Sequence, residues 1–223
     1  MSFKDYLTND LRKQHLNLSS YAWNIISSDI YNFCQSEKNK EMSNFINRIY
    51  KNFEEMVLFP TNLDKSLNHK YLFYEQSFNP YNNDDSLPSQ KIASQMIDKE
   101  LSEILSMTES RIKGIGKKIY LHISTYNSLC SIPENSYINK IFKKPGNYLK
   151  FIMEEYSKLP YYQREGIYFN RIISIIEDAV KLNYTLNIFT NDMEFEVIPY
   201  KIESDSFQNY HYLVGMASQI ISS

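Results

Sequence analysis

Polar and apolar residues alternate over Lys13-Gln14-His15-Leu16-Asn17-Leu18, the period of a short strand with one covered face. Ser19-Ser20 then supplies a helix cap, and Trp23, Ile26, Ile30 and Phe33 form an apolar stripe at helical spacing. Gln35 to Lys40 is a polar connection. Ser43 is a second cap candidate, with Phe45, Ile46, Ile49, Tyr50 and Phe53 along one side of the helix that follows. The first segment therefore has the order strand, helix, turn, helix.

Pro60 ends that segment. The Asn-, Tyr- and Asp-rich stretch through Pro88 is rich in turn formers, and we expect an ordered linker there with short strands around Tyr71 to Tyr74. From Ser89, the residues Ile92, Met96, Ile97, Leu101, Ile104 and Leu105 recur at helical spacing until Gly114 and Gly116. Lys118 to Ser124 then alternates again, with Ile119, Leu121 and Ile123 on one face. A short helix from Thr125 must end near Pro133, a connection reaches Gly146, and Tyr148 to Tyr156 forms an amphipathic helix. The strand, helix, connection, helix order thus recurs. A lone short strand between two helices leaves its backbone edges unpaired, so it normally pairs with another. An intramolecular pairing of the two units is our expectation, with a homodimer of first units as the competitor.

In the last third, a helix from Ile172 to Leu182 leads to the apolar run Leu186 to Phe189. A turn at Asn191-Asp192 follows, then the strands Phe195 to Tyr200 and Tyr210 to Gly215.

Composition narrows the function classes. The 223 residues can bury a real core, and 43% hydrophobic content with 15% aromatics argues against a disordered chain. Five glycines and seven prolines favour a helix-rich α+β fold over a large all-β one. A net charge of −2 excludes a strongly basic protein, although 24 basic residues can still gather on one face. Cys34 and Cys130 lack zinc or redox spacing and are expected to be buried thiols. The N-terminus lacks the order of a signal peptide, and no apolar window reaches membrane-span length, so a cytoplasmic protein without a membrane partner is expected.

Candidate chemistry is sparse. His15, His69, His122 and His211 include no i,i+4 pair and no neighbouring cysteine, so no metal site is expected. The glycines of Arg111 to Lys117 are one residue apart, where a phosphate loop of the Walker type needs four between them. No nucleophile elbow occurs, and Glu154-Glu155 lie on a helix where adjacent carboxylates diverge. Neither catalysis nor a cofactor is expected. Burying Leu16 and Leu18 would send Lys13, His15 and Asn17 to the opposite face, and the second strand would likewise turn Lys118, Tyr120 and His122 outward. Ser43 and Asn44 begin a helix whose free amides suit a phosphate.

The first unit, over about 45 residues, resembles a ribbon-helix-helix motif. In that family two strands form an antiparallel ribbon that enters the major groove. The resemblance implies base contacts from Lys13, His15 and Asn17, with Lys118, Tyr120 and His122 as their counterparts.

Glu154-Glu155-Tyr156, Leu159 to Glu165, the Val197-Ile198-Pro199-Tyr200 strand and Tyr210 to Gly215 together resemble a WYL-domain bacterial regulator with an N-terminal ribbon-helix-helix region. His211 stands where that family has its tryptophan, while Tyr212 and Leu213 match. The resemblance implies a partial SH3-like or Sm-like WYL β-sheet. Tyr200, His211 and Tyr212 would be ligand-binding, and the chain would stop before the barrel closes.

Four regions are expected: ribbon-helix-helix-like over 1–58, linker and helix over 59–116, a candidate second unit over 117–165, and partial WYL over 166–223. The function implied is a non-enzymatic nucleic-acid-binding regulator of bacteria or mobile elements. One alternative is a single-stranded-RNA-binding accessory of a CRISPR effector. The other is a protein-interaction or inhibitor module. Duplex DNA, single-stranded RNA or a protein effector are the corresponding partners.

Overall fold

The computed structural model describes residues 13–34, 41–55, 63–78, 87–109, 114–190, 193–205 and 210–220. It is α+β, with nine helices and two small antiparallel sheets among those residues. The chain divides into two compact units, Met1–Ser157 and Lys158–Ser223.

In the first unit, strand β1 (Lys13–Leu18) pairs antiparallel with β2 (Ile115–Tyr120) of the same chain, from Lys13 opposite Tyr120 to Leu18 opposite Ile115. The two-stranded ribbon is thus built within one chain. Leu16, Leu18 and Ile119 are buried on its inner face, and Leu121 is buried just beyond it. Lys117 also lies on the inner side, its ammonium 4.6 Å from the centre of the Trp23 ring. The indole accepts the cation there, which explains why Trp23 sits at the rim and Ala22 takes the buried place beside Ile26 and Ile30.

Helices α1 (Ser20–Cys34) and α2 (Glu41–Glu55) follow β1. The stripe of Phe45, Ile46, Ile49, Tyr50 and Phe53 is buried as its spacing predicts. Over 63–78 helix α3 (Leu63–Phe78) stands in place of the expected linker and its short strands, so Tyr71 to Tyr74 are helical, while 60–62 and 79–86 of that stretch lie outside the described residues. Only Leu63 and Leu67 are buried on it, one turn apart, too few to mark a helix by periodicity. Its partner α4 (Leu87–Glu109) supplies Glu100, which accepts hydrogen bonds from Lys70 Nζ at 2.5 Å and Tyr74 Oη at 2.8 Å.

Strand β2 begins and ends earlier than the alternation suggests. The chain turns at His122 into α5 (Ile123–Ser131), leaving Ile123 62% exposed instead of inward. A short helix, α6 (Tyr137–Phe142), occupies the expected connection. Ser136 caps it by accepting from the Asn139 amide at 3.1 Å, and Ile138, Ile141 and Phe142 are buried. Helix α7 (Pro145–Lys158) starts with proline at its first position, three residues before the expected Tyr148. Its buried face meets α2 through edge contacts of Phe45 with Tyr156 (5.9 Å) and Tyr50 with Tyr148 (6.3 Å). Buried Asp29 accepts from Tyr156 Oη at 2.8 Å, which satisfies a carboxylate inside this core. Cys34 and Cys130 are half-buried instead of buried and form no disulfide.

In the second unit, α8 (Tyr161–Tyr168) and α9 (Asn170–Leu182) precede a meander of β3 (Leu186–Thr190), β4 (Met193–Asp205) and β5 (Tyr210–Ile220). Helix α9 ends at Asn183 in the left-handed region (φ 56°), a common helix stop. Val197 and Pro199 of β4 are buried, as is Ala179 of α9. A bulge between Pro199 and Lys201 shifts the register against β5. Next to it Gly215 faces Pro199, and a Cβ there would lie 2.4 Å from the Ile198 carbonyl oxygen. The Asn191-Asp192 turn, the Gln35 to Lys40 connection and Arg111 to Lys113 lie outside the described residues.

Candidate nucleic-acid interface

The ribbon has one packed face and one open face. Directly paired residues of an antiparallel ribbon point the same way. The open face therefore carries Lys13 with Tyr120, His15 with Lys118, and Asn17 with Gly116, all exposed. Five of the expected contact residues from two distant segments are brought together here. Lys13 Nζ lies 5.8 Å from the centre of the Tyr120 ring, so the cation and the ring form one end of the strip.

The remaining three expected residues sit at that same end. Helix α2 begins at Glu41, so Ser43 lies in its first turn and is not the cap. The Ser43 hydroxyl accepts from the Tyr120 amide at 3.1 Å, and Asn44 Oδ1 lies 3.0 Å from His122 Nε2. His122 follows the strand as the cap residue of α5 and does not stand on the strand face as expected. Ser43, Asn44 and His122 thus join the start of α2 to the end of β2.

Two further residues shape the strip that alternation and charge did not mark. Asn47, nearly fully buried, donates to the Ser43 carbonyl (2.6 Å) and the Tyr120 carbonyl (2.8 Å) and accepts from the His122 amide (2.8 Å). Its carboxamide takes over where the ladder stops, which is why the chain bends there. Gly116 is the other. A Cβ on it would lie 2.7 Å from His15 Cε1, so the bare backbone is the seat of the imidazole ring. A polar residue inside an apolar stripe and a glycine beside a strand both read as ordinary until the opposing segment is in place.

The second expected site is spread along the sheet of the second unit. Tyr200, in the bulge, is 52% exposed and Tyr212 is 39% exposed. His211 is half-buried and turned toward α8, where Glu165 Oε2 accepts from its backbone amide and lies 2.9 Å from its Nδ1. Tyr162 lies beside the imidazole, with ring centres 6.2 Å apart, and Tyr210 packs edge-on against Tyr161 at 5.3 Å. The residue in the tryptophan position is therefore engaged with α8, and of the three expected residues Tyr200 and Tyr212 are the exposed ones. Among the described residues, no three His, Cys, Asp or Glu side chains are placed to hold a metal ion, and no helix is long and apolar enough to cross a membrane.

No family model matches the chain, and no curated protein matches it. A solved structure described as that of a CRISPR Cas-related protein is similar at a TM-score of 0.65 and 22% identity, over 92% of this chain and 56% of that one. At that identity the similarity is one of fold, and this chain spans little more than half the length of that protein.

Proposed function

We propose that this protein is a non-enzymatic nucleic-acid-binding regulator that docks on duplex DNA through the β1–β2 ribbon. One observation carries the reading: Lys13, His15, Asn17, Lys118 and Tyr120 form a continuous exposed strip on a two-stranded ribbon whose other face is packed. A ribbon of this width fits the major groove, where lysine donates to purine acceptors and asparagine can both donate and accept. With a net charge of −2, attraction to phosphate depends on where the cations stand, and two of them stand here. The start of α2 beside Tyr120 adds first-turn amides at the edge of the strip. Tyr200 and Tyr212 on the second sheet would then meet a ligand or single-stranded nucleic acid.

A second reading is a single-stranded-RNA-binding accessory of a CRISPR effector. Its support is the fold similarity to the CRISPR Cas-related protein.

The test is binding of the full chain to labelled duplex DNA, single-stranded DNA and single-stranded RNA across a salt series. Duplex binding should weaken steeply with salt, and Lys118→Ala should reduce the log–log slope by about one. Binding to single-stranded RNA with none to duplex would favour the second reading. No binding to any of the three at low salt would remove both.

A further inference from the structure

The backbone of the ribbon is nearly two-fold symmetric, but its open face is not. Buried Leu16 and Leu18 of the first strand correspond to buried Ile119 of the second and to buried Leu121 just past its end. By that correspondence His15 matches Lys118, and these two are direct cross-strand partners, so the local dyad passes through their pair. The same dyad relates Lys13 to Gly116 and Asn17 to Tyr120. One end of the strip thus presents a cation beside an aromatic ring. The other presents a carboxamide beside a glycine with no side chain, over which the His15 ring lies.

The flanks differ as well. The start of α2, next to Tyr120, carries Glu41 in its first turn. The start of α7 lies against β1 at the opposite side, where a Cβ on Gly146 would be 3.4 Å from the His15 carbonyl oxygen. It is preceded by exposed Lys143 and Lys144. A homodimeric ribbon repeats each contact across its dyad and therefore selects palindromic sites. Here both strands come from one chain, and no side chain of the open face is repeated across the axis.

We propose that the ribbon recognises a non-palindromic duplex DNA segment and that a single protomer occupies it. Asn17 sets the preference at one end of the site, and Lys13 with Tyr120 sets it at the other. A carboxamide pairs bidentately with adenine, whereas an ammonium donates to guanine acceptors or phosphate, so the two ends select different base pairs. His15 and Lys118 stand at the centre. The inference rests on the duplex-binding reading above and adds the symmetry and stoichiometry of the target.

The experiment is selection of sites by the full chain from a randomised duplex pool, followed by the mass of the complex on a selected duplex. The expected result is a consensus without internal two-fold symmetry and one chain per site. Asn17→Ala should relax the preference at one end about tenfold and leave the other unchanged, with Lys13→Ala acting at the opposite end. A palindromic consensus with two chains bound would overturn the proposal. So would duplex binding with no sequence preference, or both substitutions relaxing the same positions; each leaves duplex binding itself standing. Failure to retain duplex DNA at low salt would overturn the underlying reading and the proposal together.

Discussion

Glu154 on α7 accepts two hydrogen bonds from Ser19 at the start of α1, from the backbone amide at 2.6 Å and from the hydroxyl at 2.7 Å. The same hydroxyl accepts from the Ala22 amide at 3.1 Å, so Ser19 caps its helix while Glu154 holds the cap. A carboxylate from the second half of the unit thereby fixes the strand-to-helix junction of the first.

Replacing Glu154 with alanine should therefore destabilise the first unit by about 2 kcal/mol, the scale of hydrogen bonds to a charged acceptor. Urea unfolding would show a lower midpoint with an unchanged slope. Glu154→Gln keeps one acceptor and should recover part of the loss. An unchanged midpoint for Glu154→Ala would mean that water replaces the carboxylate.

The opposite junction depends on Asn47. Its substitution by alanine leaves the Tyr120 carbonyl and the His122 amide without their partner in a part-buried setting. The expected cost is about 2 kcal/mol or more. Amide hydrogen exchange at His122 would speed up, and exposure of the ribbon strip would change with it. Asn47→Asp retains the acceptor for His122 but loses both donors, so it should be only partly protective.

Between α3 and α4, acidity should matter through Glu100. Burial raises its carboxyl, but hydrogen bonds from Lys70 and Tyr74 outweigh that and hold it below its ordinary value of 4.5. A depressed folded-state value stabilises above the ordinary value and is lost as pH falls through the depressed one. Lys70 is raised by its bond to Glu100, so its contribution is present below 10.5 and fades only above that. The pair should thus stabilise the hairpin across neutral pH. Because Lys70 is half-exposed, solvent screening limits the effect to less than about 1 kcal/mol. Comparing unfolding of the native chain and Glu100→Gln at pH 7 and pH 3 checks this: the difference should be present at the first and shrink at the second.

Legibility followed how much of an element's environment lies within the element. The alternation in Lys13 to Leu18 and the stripe from Phe45 to Phe53 each record a buried face directly, and both faces are buried as read. Helix α3 was illegible because its outward side carries exposed apolar residues, Leu72 and Phe73 among them, which blur the period. Helix α6 has six residues, less than two turns, and its mark is the Ser136 cap more than any repeat. The residues of the ribbon strip were visible one strand at a time. Gly116 and Asn47 were not, because the His15 ring and the β2 junction that give them their roles lie far off in the chain.

The sequence alone determined the α+β class, two strand-and-helix segments, and the outward side of each strand, because residues two apart in a strand share a face whatever it meets. It also placed three strands near the end of the chain. Only the tertiary structure decided that β1 pairs with β2 in the same chain, that the strand stops at Tyr120, and that His211 turns toward Glu165. A strand offers the same row of backbone donors and acceptors to any partner, so its own sequence does not name the edge it will meet. That choice is made by side chains elsewhere, by Glu154 at Ser19 and by Asn47 at His122, which close the two junctions once the halves have come together.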